Sequence, residues 1–197
     1  WFDGEEGEAS WPRRSLSTYL QKVDTLIAQL GERGARQQLA SIAHRSKAMV
    51  ACYPGGGARY VRHCDNSCDS GQGERCNGRR LTAILYLNEH WHQLHGGELR
   101  LYPPFAKGGP LCDVAPCADR LVLFYADYRV PHEVLPAHVP RLAITLWYFD
   151  RDEHARARRA GVSAEQTDSR EAEAIEAEIA KFEAKYGSGA VRHGELG

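Results

Sequence analysis

From Lys47 to Asp150 the chain is a series of short apolar runs, each closed by glycine, proline or polar residues before it could make a helix. The runs cover residues 48–53, 58–65, 80–88, 97–102, 120–125, 130–135 and 141–149. Segments of that length, rich in β-branched and aromatic side chains, read as strands. So many of them in succession, with Gly and Pro turns such as PGGG at 54–57, argue for a sandwich or barrel. The expected fold is mainly β with flanking helices, built on a jelly-roll core at residues 47–150.

The flanks follow a different period. Leu16, Tyr19, Leu20, Val23, Ile27 and Leu30 recur at three- and four-residue steps, which predicts a helix over 15–30 that Gly31 is placed to end. A second, shorter helix is expected over 36–43, so that residues 15–45 form a helical support for one face of a sheet. Residues 1–14 are acidic and glycine-rich and are then interrupted by Pro12, an irregular lead-in. The polar stretch 66–78 has no periodicity and reads as a mobile loop. Beyond Asp150 the composition turns to Arg, Ala and Glu, with Ile175, Ile179, Phe182 and Tyr186 on one helical face and a capping box available from Ser163 and Gln166. That helix either packs on the body of the domain or faces a partner, and the sequence leaves both open. The resulting division is a domain at 1–158 and a helical extension at 159–197.

At 197 residues the chain is long enough for one domain with a sizeable core. A formal net charge of −1 and the lack of any basic block give no field for a polyanion, so nucleic acid is not an expected partner. Nor is a membrane, since no stretch is long and apolar enough to span one. The chain begins at Trp1 without an initiator methionine, so a trimmed N-terminus is expected and a native leader could precede it. Six cysteines in a domain of this size read as reduced thiols, which suggests the cytoplasm or also the nucleus. Cys64, Cys68 and Cys76 could instead bind zinc, although they lack the paired Cys-x2-Cys spacing of common structural sites.

The chemistry begins at His63 and Asp65. On a strand, side chains two apart leave the same face, so this pair would present an imidazole nitrogen beside a carboxylate oxygen. Alone, the spacing is also what a chain with nine histidines produces on its surface by chance. A third ligand is available from His132, in the short strand at 130–135. Two histidines and one carboxylate suit Fe(II) and leave the opposite positions of the ion free for reactants. Arg141 opens the most apolar strand of the chain, and a guanidinium there either sits at the rim or meets an anion. A dicarboxylate would satisfy both halves of this arrangement, one end chelating the metal and the other pairing with Arg141. The Tyr86 phenol either adds a hydrogen bond to that carboxylate or is a core aromatic.

These residues sit in ordered blocks: MVACYPG at 49–55, YVRHCDN at 60–66, LYLN at 85–88, Gly96-Gly97, DRL at 119–121, PHEV at 131–134 and ITLWYFD at 144–150. In that order they resemble the catalytic domain of the hypoxia-inducible-factor type of prolyl 4-hydroxylases. The group includes animal oxygen sensors, protist enzymes that modify Skp1, and bacterial relatives that modify elongation factor Tu. The resemblance runs from about Trp1 to Arg158 and is dense from Lys47 to Asp150. It implies a double-stranded β-helix in which His63, Asp65 and His132 hold Fe(II), and Arg141, assisted by Tyr86, pairs with the distal carboxylate of 2-oxoglutarate. It further implies that Tyr53, Ile84, Leu99, Val134, Ala143 and Trp147 line the co-substrate and substrate pocket, with Thr145 a polar position beside the co-substrate. Tyr60 and Arg79 match positions that meet the peptide substrate. The implied reaction consumes O2 and 2-oxoglutarate, with ascorbate as supporting reductant, and hydroxylates a proline in a target protein.

The chain departs from the animal enzymes in its longer loop after Asp65, which carries Cys68 and Cys76, in the segment through Cys112 and Cys117, and in the helical extension. Loops decide substrate choice. A Skp1-type or other non-metazoan target is therefore expected ahead of an animal transcription factor, with oxygen sensing then acting through a ubiquitin-ligase adaptor. Two rival readings share parts of the pattern. An AlkB-like nucleic-acid demethylase resembles this chain in the triad and arginine, but carries a second arginine six positions on, where this chain has Trp147. A metal-free jelly-roll interaction module would have no reason to keep a complete triad, arginine and tyrosine.

Overall fold

The computed structural model describes residues 11–32, 39–66, 76–104 and 108–162. Helix α1 (Trp11–Glu32) is followed by strands β1 (Ile42–Arg45), β2 (Met49–Tyr53), β3 (Ala58–His63), β4 (Arg79–Tyr86), β5 (Leu99–Leu101), β6 (Cys112–Val114), β7 (Leu121–Tyr125), β8 (His132–Ala137) and β9 (Arg141–Asp150), and by helix α2 (Arg151–Arg159). The strands form two antiparallel sheets. In the first, β9 pairs with β4 on one side and with β2 and β1 in succession on the other, and β7 extends β4. The second has the order β3-β8-β5-β6. This is the jelly roll expected from the run of short strands.

Strands β4 and β9 are buried on both faces. Leu81, Ala83, Ile144, Leu146 and Tyr148 point to one side, where Leu20, Val23 and Ile27 of α1 cover them. Ile84, Tyr86 and Ala143 point to the other and meet Leu99 and Val134 of the second sheet. A strand shared by two cores has no polar face, so residues 141–149 read as a continuous apolar run instead of an alternation. Asp24 of α1 ties the helix to the sheet, accepting from Arg45 at 3.0 Å and from the Tyr148 hydroxyl at 2.7 Å. Asp150 ends β9 and caps α2 by accepting from the backbone N–H groups of Asp152 and Glu153. Its other oxygen receives Ser41 and Arg80, which also pairs with Glu153.

Several expectations are corrected. Helix α1 starts before Ser15 and includes Pro12, because a proline in the first turn gives up an N–H that would have no helical partner anyway. The helix expected over 36–43 does not extend to its end: Ile42 and Ala43 lie in β1, where the last residues of β9 offer a free edge to pair with, while residues 33–38 lie outside the described residues. The strand expected to reach Asp65 stops at His63. Strand β6, a three-residue edge with a mostly exposed burial pattern, carries too little apolar signal to be read from the sequence. In the stretch read as a mobile loop, Asn66 and Cys76, Asn77 and Gly78 are buried, whereas 67–75 lie outside the described residues. The extension helix, with Ile175, Ile179, Phe182 and Tyr186 and the Ser163 cap, lies outside them too, as does Cys68 of the zinc alternative.

Two register irregularities set the site. Between Arg79 and Leu81 the partner on β9 shifts only from Phe149 to Tyr148, so β4 carries an extra residue there. Arg79 thereby stacks on Trp147, whereas strict alternation would turn it with Leu81 toward α1. Between Tyr60 and His63 the partner moves from Val134 to His132, and this second bulge brings the Tyr60 and His63 rings to within 4.6 Å of each other.

Leu146 is fully buried at the centre of β9, whereas Leu94 is 80% exposed. Leu146→Ala should cost about 2–5 kcal/mol in urea unfolding, and Leu94→Ala no more than about 0.5 kcal/mol. Equal losses would contradict the two-core arrangement.

Candidate metal centre

His63 is the last residue of β3 and His132 the first of β8, and the two are register partners. Their rings lie 4.3 Å apart. Asp65, two residues past the strand end, turns its carboxylate between them, with Oδ1 3.4 Å from His63 Nε2 and Oδ2 3.6 Å from His132 Nε2. One ligand atom from each residue lies within 4.8 Å of the other two, the one such cluster among the described residues. The other ring nitrogens are held by backbone: His63 Nδ1 is 2.8 Å from the Val61 carbonyl oxygen and His132 Nδ1 3.2 Å from that of Val130. A carbonyl only accepts, so each Nδ1 carries the proton and each Nε2 presents a lone pair to the cluster.

Off the strand, Asp65 needs other restraints. The Thr82 hydroxyl donates to Oδ2 at 2.5 Å. Asn77 Nδ2 donates to the Asp65 carbonyl at 2.8 Å, and Arg79 Nη1 reaches the same oxygen at 3.5 Å. Asn66 and Asn77 then clasp the two ends of the 66–78 stretch: Asn66 Nδ2 donates to the Arg79 carbonyl, Asn77 N–H to Asn66 Oδ1, and Arg79 N–H to Asn77 Oδ1. Burial by itself pushes the Asp65 carboxyl up, but a second proton on His132 or on His63, where it also makes a hydrogen bond, and the charge of Arg79 hold it well below the usual carboxylate range. Burial lowers the His132 imidazole and His63 adds to that, against the pull of Asp65. Near neutral pH the cluster therefore presents a charged carboxylate and a neutral buried imidazole, the forms that bind a metal. Two imidazole nitrogens and one carboxylate oxygen fit Fe(II).

A second pole borders the apolar cluster to which Tyr86 belongs. Arg141 is 4% exposed, donates from Nε to the Gly97 carbonyl at 2.6 Å, and has its guanidinium carbon 5.0 Å from the ring centroids of both Tyr53 and Tyr86. The Tyr86 hydroxyl is buried without a hydrogen-bond partner. Burial pushes it up to about 12, against the pull of Arg141, which sits near without closing a well-formed hydrogen bond to it. A carboxylate bound here would give both groups an acceptor. Tyr53 senses both poles: burial raises its hydroxyl first, with Arg141 acting to lower it and Asp65 to raise it.

Ile84, Leu99, Val134 and Ala143 fill the space between the sheets in one apolar cluster with Tyr86, and Tyr53 and Tyr60 pack against it. Thr145 and Trp147 are buried further along β9, on the face of Ala143 by the two-residue period. Arg79 is 3% exposed and lies over the Trp147 ring at 3.9 Å, beneath the metal cluster instead of on an outward surface. Phe124, which packs edge-on against His132 at 4.7 Å, and Thr82, Asn66 and Asn77 escaped the sequence reading. Thr82 had left a signal, as the one hydroxyl in the run from Leu81 to Leu87 outside the tyrosine.

The family described as the 2OG-Fe(II) oxygenase superfamily matches residues 48–149. The chain is 41% identical over 160 residues to the human prolyl hydroxylase EGLN3, a match covering 81% of this chain and 60% of that protein. The chain thus spans less than two thirds of that relative's length. Among solved structures, a prolyl hydroxylase in complex with a hypoxia inducible factor oxygen degradation domain peptide fragment, from Trichoplax adhaerens, aligns with a TM-score of 0.66 at 40% identity, covering 80% of this chain and 64% of that one. A Pseudomonas putida prolyl-4-hydroxylase aligns with a TM-score of 0.60 at 34% identity, covering 77% and 70%.

Mn(II), a redox-inert probe of the same donor set, should bind once per chain. His132→Ala should weaken it by more than about a hundredfold by calorimetry, and Thr82→Val, which frees the carboxylate to turn, by about tenfold. Unchanged affinity in His132→Ala would contradict the ligand set.

Proposed function

The chain belongs to the 2OG-Fe(II) oxygenase superfamily, and on that footing we propose that it is a prolyl 4-hydroxylase acting on a target protein in oxygen sensing. The carrying observation is a His-Asp-His cluster, a buried arginine and an unpartnered tyrosine hydroxyl set around one apolar cluster. His63, Asp65 and His132 would hold Fe(II), and Arg141 with Tyr86 would hold the distal carboxylate of 2-oxoglutarate. Bound there with O2, these groups supply an oxidation that decarboxylates 2-oxoglutarate to succinate and inserts one oxygen atom at C4 of a peptidyl proline.

The rest is the protein's own contribution. Thr82 and the Asn66–Asn77 clasp fix the carboxylate that must stay ionised as a ligand. Ile84, Leu99, Val134, Ala143 and Phe124 exclude water from the space between the poles, which strengthens the charge pairing at Arg141. Thr145 offers a hydroxyl beside the co-substrate. Tyr60, half-buried against His63, and Trp147 stand where the peptide would enter, and Arg79 supports Trp147 from below. Ascorbate would keep the iron ferrous between turnovers.

A proline-bearing segment of a protein is the substrate class that the named relatives support. The segments that differ from the animal enzymes, after Asp65 and through Cys112 and Cys117, favour a Skp1-type or other non-metazoan protein, with a hypoxia-inducible-factor-like or elongation factor Tu target as the alternatives. Six cysteines in a domain large enough to stand on its own core accord with reduced thiols and a cytoplasmic site of action, extending to the nucleus.

With Fe(II), ascorbate and 2-oxoglutarate, the protein should form succinate and add one oxygen to a proline in one of three peptide sets, drawn from the sequences of Skp1, hypoxia-inducible factor and elongation factor Tu. His132→Ala and Asp65→Ala should each abolish both products. Arg141→Ala should raise the 2-oxoglutarate requirement by about a hundredfold, the scale of a buried charge-assisted pair. Persistent turnover in the ligand variants, or an unchanged requirement in Arg141→Ala, would contradict the proposal.

A further inference from the structure

The segment from Trp91 to Gly97 lies against Arg141, which its Gly97 carbonyl holds. Gly96 and Gly97 both have positive φ, at 63° and 77°, conformations that L side chains rarely adopt. They also leave no room for one. A Cβ on Gly97 would stand 2.8 Å from Arg141 Cδ and 3.1 Å from Ala137 Cβ, and one on Gly96 would stand 2.1 Å from the Pro136 carbonyl oxygen. Backbone bonds lock the pair to the turn between β8 and β9: Gly97 N–H donates to the Pro136 carbonyl at 3.0 Å and His138 N–H to the His95 carbonyl at 2.8 Å. On the other side the Trp91 indole N–H donates to the Gly96 carbonyl at 2.9 Å.

This clamp delivers the Gly97 carbonyl to Arg141 Nε at 2.6 Å. A guanidinium is planar, so fixing its Nε–H fixes the direction of both terminal nitrogens. Those carry the forked pair of donors that a carboxylate takes. The clamp therefore holds the guanidinium at one place relative to His63, Asp65 and His132, as a stop for the length of whatever diacid would span the two poles.

We propose that Gly97, held by Gly96 and Trp91, is a positioning residue that selects the five-carbon 2-oxo diacid over its shorter and longer homologues by fixing the Arg141 guanidinium. The inference rests on the reading of Arg141 as the carboxylate-binding pole. It extends that reading to the backbone carbonyl that holds Arg141.

Binding distinguishes the two. Equilibrium binding of 2-oxoglutarate and of its six-carbon homologue 2-oxoadipate is measured on the Mn(II)-loaded protein and on Gly97→Ala and Trp91→Phe, alongside Mn(II) affinity and steady-state turnover. Gly97→Ala should lose about tenfold or more in 2-oxoglutarate affinity, the scale of one hydrogen bond to a charged group. The preference over 2-oxoadipate should shrink with it, the KM for 2-oxoglutarate should rise far more than kcat falls, and Mn(II) affinity should stay within about threefold, since the ligands lie at the other pole. Trp91→Phe keeps an aromatic ring and removes the donor, and should move the same quantities in the same direction by about threefold. This second variant decides the matter where the alanine variant fails to fold. Unchanged 2-oxoglutarate affinity and preference in the folded variants would overturn the inference and leave the function standing. A parallel loss of Mn(II) and 2-oxoglutarate affinity with preference intact would overturn it as well, in favour of general loosening. If the unsubstituted protein failed to bind 2-oxoglutarate, the function and the inference would fall together.

Discussion

A carboxylate buried between two imidazoles is the constraint on which the structure depends. Asp65 is 8% exposed, and removing its charge from water is costly unless donors or a cation answer it. The protein answers with the Thr82 hydroxyl, which donates to Oδ2. Arg79 adds a positive charge whose partner is the Asp65 carbonyl, not its carboxylate. The answer is incomplete by the nature of the donor set: with each Nδ1 turned to a backbone carbonyl, both neutral imidazoles aim an Nε2 lone pair toward the carboxylate. A divalent ion completes it, and the same ion is what the chemistry requires.

The second consequence is mechanical. Strand β9 carries Arg141 at its start and Trp147 near its end, pairs with β4, the strand that bears Tyr86, Ile84 and Thr82, and is covered by α1 on its other face. The pole proposed to bind a carboxylate and the hydroxyl that holds Asp65 therefore stand on two adjacent, doubly buried strands. Close packing on both faces leaves these strands little freedom to shift relative to one another, so the distance between the poles is a property of the core. Thr82 on β4 links that core to Asp65, while His63 and His132 come from the second sheet. The space between the poles is thus bounded by the same contacts that hold the sheets together.

Much of this was legible in the sequence because strand periodicity and donor chemistry are local signals. His63, Asp65, His132 and Arg141 could be chosen by residue type and by their places at the ends of apolar runs, and Ile84, Tyr86, Leu99, Val134 and Ala143 fall in one cluster. What the sequence hid is non-local. The bulges that turn Arg79 and Tyr60 toward the site break the two-residue period without changing composition, so period alone gives the wrong face. The end of β3 at His63 was hidden too, because Asp65 is held by Asn77 and Thr82, more than ten residues on in the chain, and not by strand pairing. Asn66 and Asn77 look like ordinary loop residues until their backbone partners are known. Strand β1 replaces part of an expected helix because β9 is long enough to offer a second edge partner, which no window around Ile42 can reveal.

Anaerobic equilibrium binding of 2-oxoglutarate with and without Fe(II) tests the central claim most directly, because one small molecule must span a metal and an arginine. The expected result is one 2-oxoglutarate per chain, bound tightly only when the metal is present, with the metal in turn held more firmly once the diacid is there. Binding of equal strength in the absence of metal would contradict the claim, since the two poles would then not share a ligand.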